Sequence, residues 1–114
     1  MASDQSFVDF LMDQLSAVPG IASRKMFGEY AVYVEGKVVA LVCDNDLFVK
    51  PTDAGRQFIG QPDEAAPFPG AKPSFRITDS IDDRQWLEQL VMLTANALPA
   101  PKPKAKKKSV AKNP

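Results

Sequence analysis

The order of hydrophobic periods along this chain predicts an α+β domain. Helix-period stripes stand near residue 7 and again near residue 86, and between them lie β-rich runs joined by very short turns. At 114 residues with one cysteine, the chain is sized for one compact domain without an internal disulfide.

The first helix is read from Phe7, Phe10, Leu11, Leu15 and Val18, which recur at three- and four-residue steps while Asp9, Asp13 and Gln14 take the opposite side. Ser3 or Ser6 is expected to cap it, the second with Asp9 three residues on, and Pro19-Gly20 ends it. The runs "YAVYV" and "KVVALVC" are joined by Glu35-Gly36, a two-residue hairpin signal. That loop sets Val34 opposite Lys37, Tyr33 opposite Val38, Val32 opposite Val39 and Tyr30 opposite Leu41. One face then collects Tyr30, Val32, Val34, Val39, Leu41 and Cys43, and the other Ala31, Tyr33, Val38, Ala40 and Val42. Neither face is polar, so both are expected to be covered, by helices or by a second subunit.

A second turn at Asp44-Asn45-Asp46 returns the strand "LFVK", which stops at Pro51. The three residues superficially suggest a calcium loop but lack its glycine and distal glutamate, so ordinary turn chemistry is the reading. Thr52 is expected to cap a short helix ending near Gly60, with Phe58 and Ile59 as its apolar contacts. The stretch "GQPDEAAPFPGAKP" holds four prolines and two glycines, which rules out regular structure before a last strand, "SFRIT". Trp86, Leu87, Leu90, Val91, Thr94, Ala97 and Leu98 mark the final helix, capped by Ser80 or Asp82, favoured by Asp83 at its N-terminal end and halted by Pro99.

A formal net charge of zero conceals an asymmetry. Residues 1–98 hold eight basic and fourteen acidic residues, a net of −6, whereas residues 99–114 hold six lysines and no acid. The division expected is therefore a folded domain over 1–98 and a disordered lysine-, proline- and alanine-rich tail over 99–114. The N-terminus carries acids where a signal peptide needs bases, and no apolar run approaches the ~20 residues of a membrane span. A cytoplasmic protein without a membrane partner is the expectation.

Chemistry-bearing residues are scarce. With no histidine and a single cysteine, neither a zinc site nor a cysteine–histidine pair can be assembled. Cys43 sits in the run "VVALVC", where a small buried thiol is the ordinary reading. No phosphate-binding glycine loop or G-x-S-x-G elbow is present, and the carboxylate pairs Asp44/Asp46 and Asp82/Asp83 sit at a turn and a helix cap. A non-enzymatic protein with no cofactor, metal or catalytic residue is expected. An enzyme would require a pocket with perturbed carboxylates.

One series is specific. In "SRKMFGEYAVYVEGKVVALVCDNDLFVKPTDAGRQF", followed by "PFPGAKPSFRI" and "WLEQLV", the chain resembles the TfoX (Sxy) N-terminal domain family over about residues 5–98. Arg24, Met26, Phe27, Gly28, Tyr30, Gly36, Leu47 and Lys50 take the motif places. Glu29 and Ala31 stand where the family usually has further glycines, so the resemblance carries no very tight backbone approach there. Longer members add a helical C-terminal domain, whose place a lysine tail takes here. The resemblance implies a two-layer α+β fold, a mainly antiparallel sheet of about four to five strands with three helices, and no catalytic residues. It also implies a link to competence and to transcriptional activation alongside the cyclic-AMP receptor protein.

Within the motif, Phe27-Gly28 is expected to form a strand corner, with Gly28 at positive φ and Met26 and Phe27 in the core. Arg24 and Lys25 are a solvated strand end or a partner contact. Tyr30 and Tyr33 point to opposite faces and cannot form one stacking platform. The leading expectation is a regulatory module acting by protein contact, transcription machinery included, as a homodimer. The alternative is weak, non-specific nucleic-acid binding through Lys102, Lys104, Lys106, Lys107, Lys108 and Lys112, against which stands a purely solubilising tail.

Overall fold

The computed structural model describes residues 4–26 and 29–99. Its elements are α1 (Gln5–Gln14), β1 (Ile21–Met26), β2 (Glu29–Val34), β3 (Lys37–Cys43), β4 (Asp46–Val49), α2 (Asp53–Ile59), β5 (Asp63–Ala65), β6 (Ser74–Ile77) and α3 (Arg84–Ala97). The strands form one antiparallel sheet in the order β1-β2-β3-β4-β6-β5. This is the expected α+β arrangement with three helices, and its six strands exceed the four to five anticipated.

The additional strand is β5. It lies in the proline-rich stretch read as irregular, and it pairs Asp63 with Arg76, Glu64 with Phe75 and Ala65 with Ser74. Two ion pairs hold this short edge: Arg76 to Asp63 and Arg56 to Glu64, each at 2.7 Å. Arg56 also lies over the Phe75 ring, 5.1 Å from its centroid. Those partners are too far along the chain for local periodicity to reveal.

The hairpin β2–β3 turns as expected, with Glu35 at φ 50° and Gly36 at φ 84°, the conformation that suits a two-residue hairpin. Val34 faces Lys37 and Tyr33 faces Val38, but then the register shifts, so that Val32 meets Ala40, Ala31 meets Leu41 and Tyr30 meets Val42. Val39 is the extra residue of a bulge. Val39 and Ala40 both enter the core beside Val42, while Leu41 and Cys43 turn to the other face, the reverse of the strict alternation expected.

All three helices pack on one face. Val8, Leu11 and Leu15 from the first helix and its following turn, with Leu87, Leu90, Val91 and Ala95 of α3, close over Val32, Val42, Leu47, Phe75 and Ile77. Phe58 and Ile59 of α2 join this core, Phe58 with its ring centroid 5.4 Å from that of Trp86. The second face therefore has no helix among the described residues, so of the two covers expected, helices or a second subunit, helices serve one face only.

Several local expectations are corrected, two of them by long-range contacts. Asp4, not Ser3 or Ser6, precedes the first helical residue, and its carboxylate makes no cap; its N–H donates to Asn45 Oδ1 at 2.7 Å, tying α1 to the β3–β4 turn. Gln14 is buried rather than solvent-facing, because its Nε2 donates to the Ile81 carbonyl at 3.0 Å. Phe10, placed on the apolar stripe, is exposed, and Val8 is buried in its stead. Asp83 itself caps α3, accepting from the Trp86 N–H at 3.2 Å, which supersedes Ser80 and Asp82. On the same helix Ala95, not Ala97, is buried. Thr52 caps α2 as expected, accepting from the Gly55 N–H.

Candidate functional site

The β3–β4 turn, the start of β2 and the end of β1 converge on the helix-free face. Asp44 and Asn45 both adopt positive φ, which lets β3 reverse into β4 within two residues. The reversal brings the Asp44 N–H to the Glu29 carboxylate at 3.2 and 3.3 Å. Glu29 thus straps β2 to the turn.

Beside this strap lies a cleft of about 490 Å³. Its floor is Ala31, Leu41 and Cys43, and its walls include Met26, Glu29 and Phe68. The bulge at Val39 made that floor by delivering Leu41 and Cys43 to this side. The loop after β5 supplies the roof, with Phe68 52% exposed. A cleft of this size and apolar character is typical of a binding surface. Burial, then the Glu29 and Asp44 carboxylates, push the Cys43 thiol above its ordinary value of 9.0, so the group is a neutral lining at neutral pH rather than a nucleophile.

The motif residues divide between core and surface. Leu47 is fully buried, and Tyr30 is buried with its hydroxyl donating to Gln5 Oε1 at 2.7 Å. Gly36 occupies the hairpin turn, and Lys50 is exposed at the end of β4. Met26, expected in the core, is 45% exposed at the cleft's rim, because its pairing with Glu29 sets it on the helix-free face. Arg24 and Lys25 are exposed on β1 and paired across to Ala31 and Tyr30. Tyr33 is half-buried on the face opposite Tyr30, as alternation requires. Phe27, Gly28 and the six tail lysines lie outside the described residues.

Two positions carry structural weight that sequence reasoning missed. Lys37 Nζ donates to the Ala95 carbonyl at 2.8 Å, placing a cation at the C-terminal end of α3 and locking that helix to the hairpin. Arg84 reaches the Asp13 carbonyl at 2.9 Å and its carboxylate at 3.2 Å, joining α3 to the end of α1. The only sequence signal for either was a basic residue beside an element end.

Among the described residues no group of three or more metal-ligating side chains is present, and no helix is long and apolar enough to cross a membrane. The chain is 46% identical over 110 residues to an uncharacterized 12.7 kDa protein encoded in the trpE 5′ region of Spirochaeta aurantia, an alignment spanning 96% of each chain. Residues 13–98 match the TfoX N-terminal domain. With that match running from the end of α1 to the end of α3, the chain belongs to the TfoX N-terminal domain family.

Proposed function

We propose that this chain is a non-enzymatic regulatory module that acts by contact with another protein, in transcriptional control of the kind associated with the TfoX family. The observation that carries the reading is the family match over residues 13–98. The apolar, helix-free cleft supports it, since an exposed apolar surface that includes Met26 and Phe68 suits a protein contact. The test is removal of the chain from its native cell, with transcripts profiled and proteins retained by the full-length chain identified. A coordinated change in a defined set of transcripts, with retention of a protein of the transcription apparatus, is the expected result. Loss of a metabolic conversion with transcripts unchanged overturns the reading.

A second reading rests on the charge asymmetry between the −6 domain and the +6 tail. The tail lysines bind nucleic acid weakly and without sequence preference, each phosphate contact releasing a counterion. If all six engage duplex DNA, the salt slope is about −5. Replacing Lys102, Lys104, Lys106, Lys107, Lys108 and Lys112 by glutamine abolishes such binding; sequence-selective binding that survives in a gel-shift series would refute it.

A further inference from the structure

We propose that the outer edge of β1 is a docking strand for an extended, acidic segment of a partner protein, in which two consecutive acids adjoin one large apolar residue. The proposal rests on the reading that the chain acts by protein contact, and it names the chemistry of the partner.

The sheet has two edges, and they are treated differently. At one, β5 is only three residues long, and its Asp63 and Glu64 are occupied by Arg76 and Arg56. At the other, β1 pairs along all six residues with β2 and, among the described residues, with no strand on its far side. Such an edge presents a row of backbone N–H and C=O groups, the template for strand addition. Outer-edge backbone groups give affinity but no choice of partner. The choice comes from side chains.

Those side chains have a sign. Arg24 and Lys25 stand in a domain whose net charge is −6. The arginines at 56, 76 and 84 are each held in an ion pair, whereas Arg24 and Lys25 make none with the described residues. Being consecutive, they lean to opposite faces of the strand. A partner strand therefore meets both cations only with two consecutive acids. The next residue, Met26, is 45% exposed and lines the cleft, so the neighbouring partner position favours a large apolar side chain.

A second copy fits this edge poorly. Two β1 strands paired about a two-fold axis bring two Arg24–Lys25 pairs together, and like charges on adjacent strands oppose pairing. Pairing β1 with the β5 edge of another copy has the right signs, but those acids are already committed, and such head-to-tail contacts do not close. A different protein with free acids is the occupant that charge complementarity selects.

The test uses the full-length chain with its six tail lysines replaced by glutamine, which removes the tail's own attraction for acids. The probes are fluorescent, terminally blocked ten-residue peptides of threonine and valine. One carries leucine–glutamate–glutamate at its centre, one leucine–lysine–lysine, and one is the acidic peptide N-methylated at alternate amides. Anisotropy titrations are paired with amide hydrogen exchange of residues 21–26. The acidic peptide is expected to bind saturably and to protect β1 amides. Arg24→Glu with Lys25→Glu should weaken it at least roughly tenfold, Arg24→Gln with Lys25→Gln less, and N-methylation should remove it, with circular dichroism verifying that the variants fold. Equal binding of the lysine peptide or the methylated peptide, or protection located elsewhere, overturns the proposal. So does displacement of the peptide by a single-stranded oligonucleotide, which would assign the two cations to phosphate, or sedimentation showing that β1 is already buried in a self-associated form. A native partner retained equally by the charge-reversed chain sinks the edge and spares the regulatory reading; unchanged transcripts with intact peptide binding do the reverse.

Discussion

The two faces of the sheet begin with similar chemistry and end in different surroundings. On the helix side, Val32, Val42, Leu47 and Phe75 lie under α1 and α3 and are shut from solvent. On the other, Ala31, Cys43 and Phe48 are also buried, yet Met26 and Phe68 remain 45% and 52% exposed beside a cleft. Apolar composition therefore does not distinguish the helix-covered face from the helix-free one. What separates them is the supply of covering elements, since among the described residues α1, α2 and α3 all pack on one side and the other is covered by the loop after β5.

The largest expected effect tests that division directly. Phe75→Ala removes a fully buried ring from beneath the helices and should cost about 3–5 kcal/mol in denaturant unfolding. Phe68→Ala, on the helix-free side, should cost less than about 1 kcal/mol. Equal losses would make the loop-covered side a second core and remove the contrast.

Next in size is Gly20→Ala, at the junction that carries α1's side of the molecule into β1. Gly20 has φ 75°, its carbonyl accepts from the Glu35 N–H at 3.0 Å, and an added Cβ would collide with the Glu35 side chain. A loss of roughly 1–3 kcal/mol is expected from strain and clash. A neutral result would mean that the β1 end of the sheet tolerates rearrangement that the β4–β6 end does not.

Cap removal should be smaller. Asp83→Ala deprives the Trp86 N–H of its acceptor at the start of α3, for about 1 kcal/mol. Thr52→Ala should do the same for α2 through the Gly55 N–H. A change in the denaturant midpoint without a change in slope is the signature, because neither variant alters the area exposed on unfolding.

The smallest effect belongs to Cys43. Its folded-state thiol titrates above 9.0, chiefly because it is buried and then because Glu29 and Asp44 oppose a thiolate. A raised folded value means that the native state holds the proton more tightly. The contribution is complete below about pH 9 and is lost as pH rises through the folded value. Cys43→Ala should flatten the alkaline limb of the stability profile, and the native thiol should react with a disulfide reagent far more slowly at pH 8 than the unfolded chain does. Fast native labelling would show that the cleft floor opens readily.

Legibility followed the range of the interactions. The hairpin at Glu35-Gly36, the turn at Asp44-Asn45 and the Thr52 cap were readable because each is decided by neighbours within three residues. α3 was readable from its period, although the capping acid proved to be Asp83. Met26 was misplaced because the motif offered no sign of which face its strand would bury, and Gln14 because its partner, the Ile81 carbonyl, lies on a distant loop. Of the candidate surface, Arg24 and Lys25 were visible as a basic pair, but the cleft beside them was not. It depends on the one-residue register shift at Val39.

By itself the sequence determined the α+β class, the helical periods, the tight turns and the opposition in charge between residues 1–98 and 99–114, because propensity, turn chemistry and charge act over a few residues or need only counting. Tertiary structure decided which apolar residues became core and which became surface. Val39 and Ala40 both join the helix-side core through a bulge that turns Leu41 and Cys43 to the other face, and β5 forms where Arg56 and Arg76 meet its acids. Those outcomes depend on groups that meet only after the chain has folded.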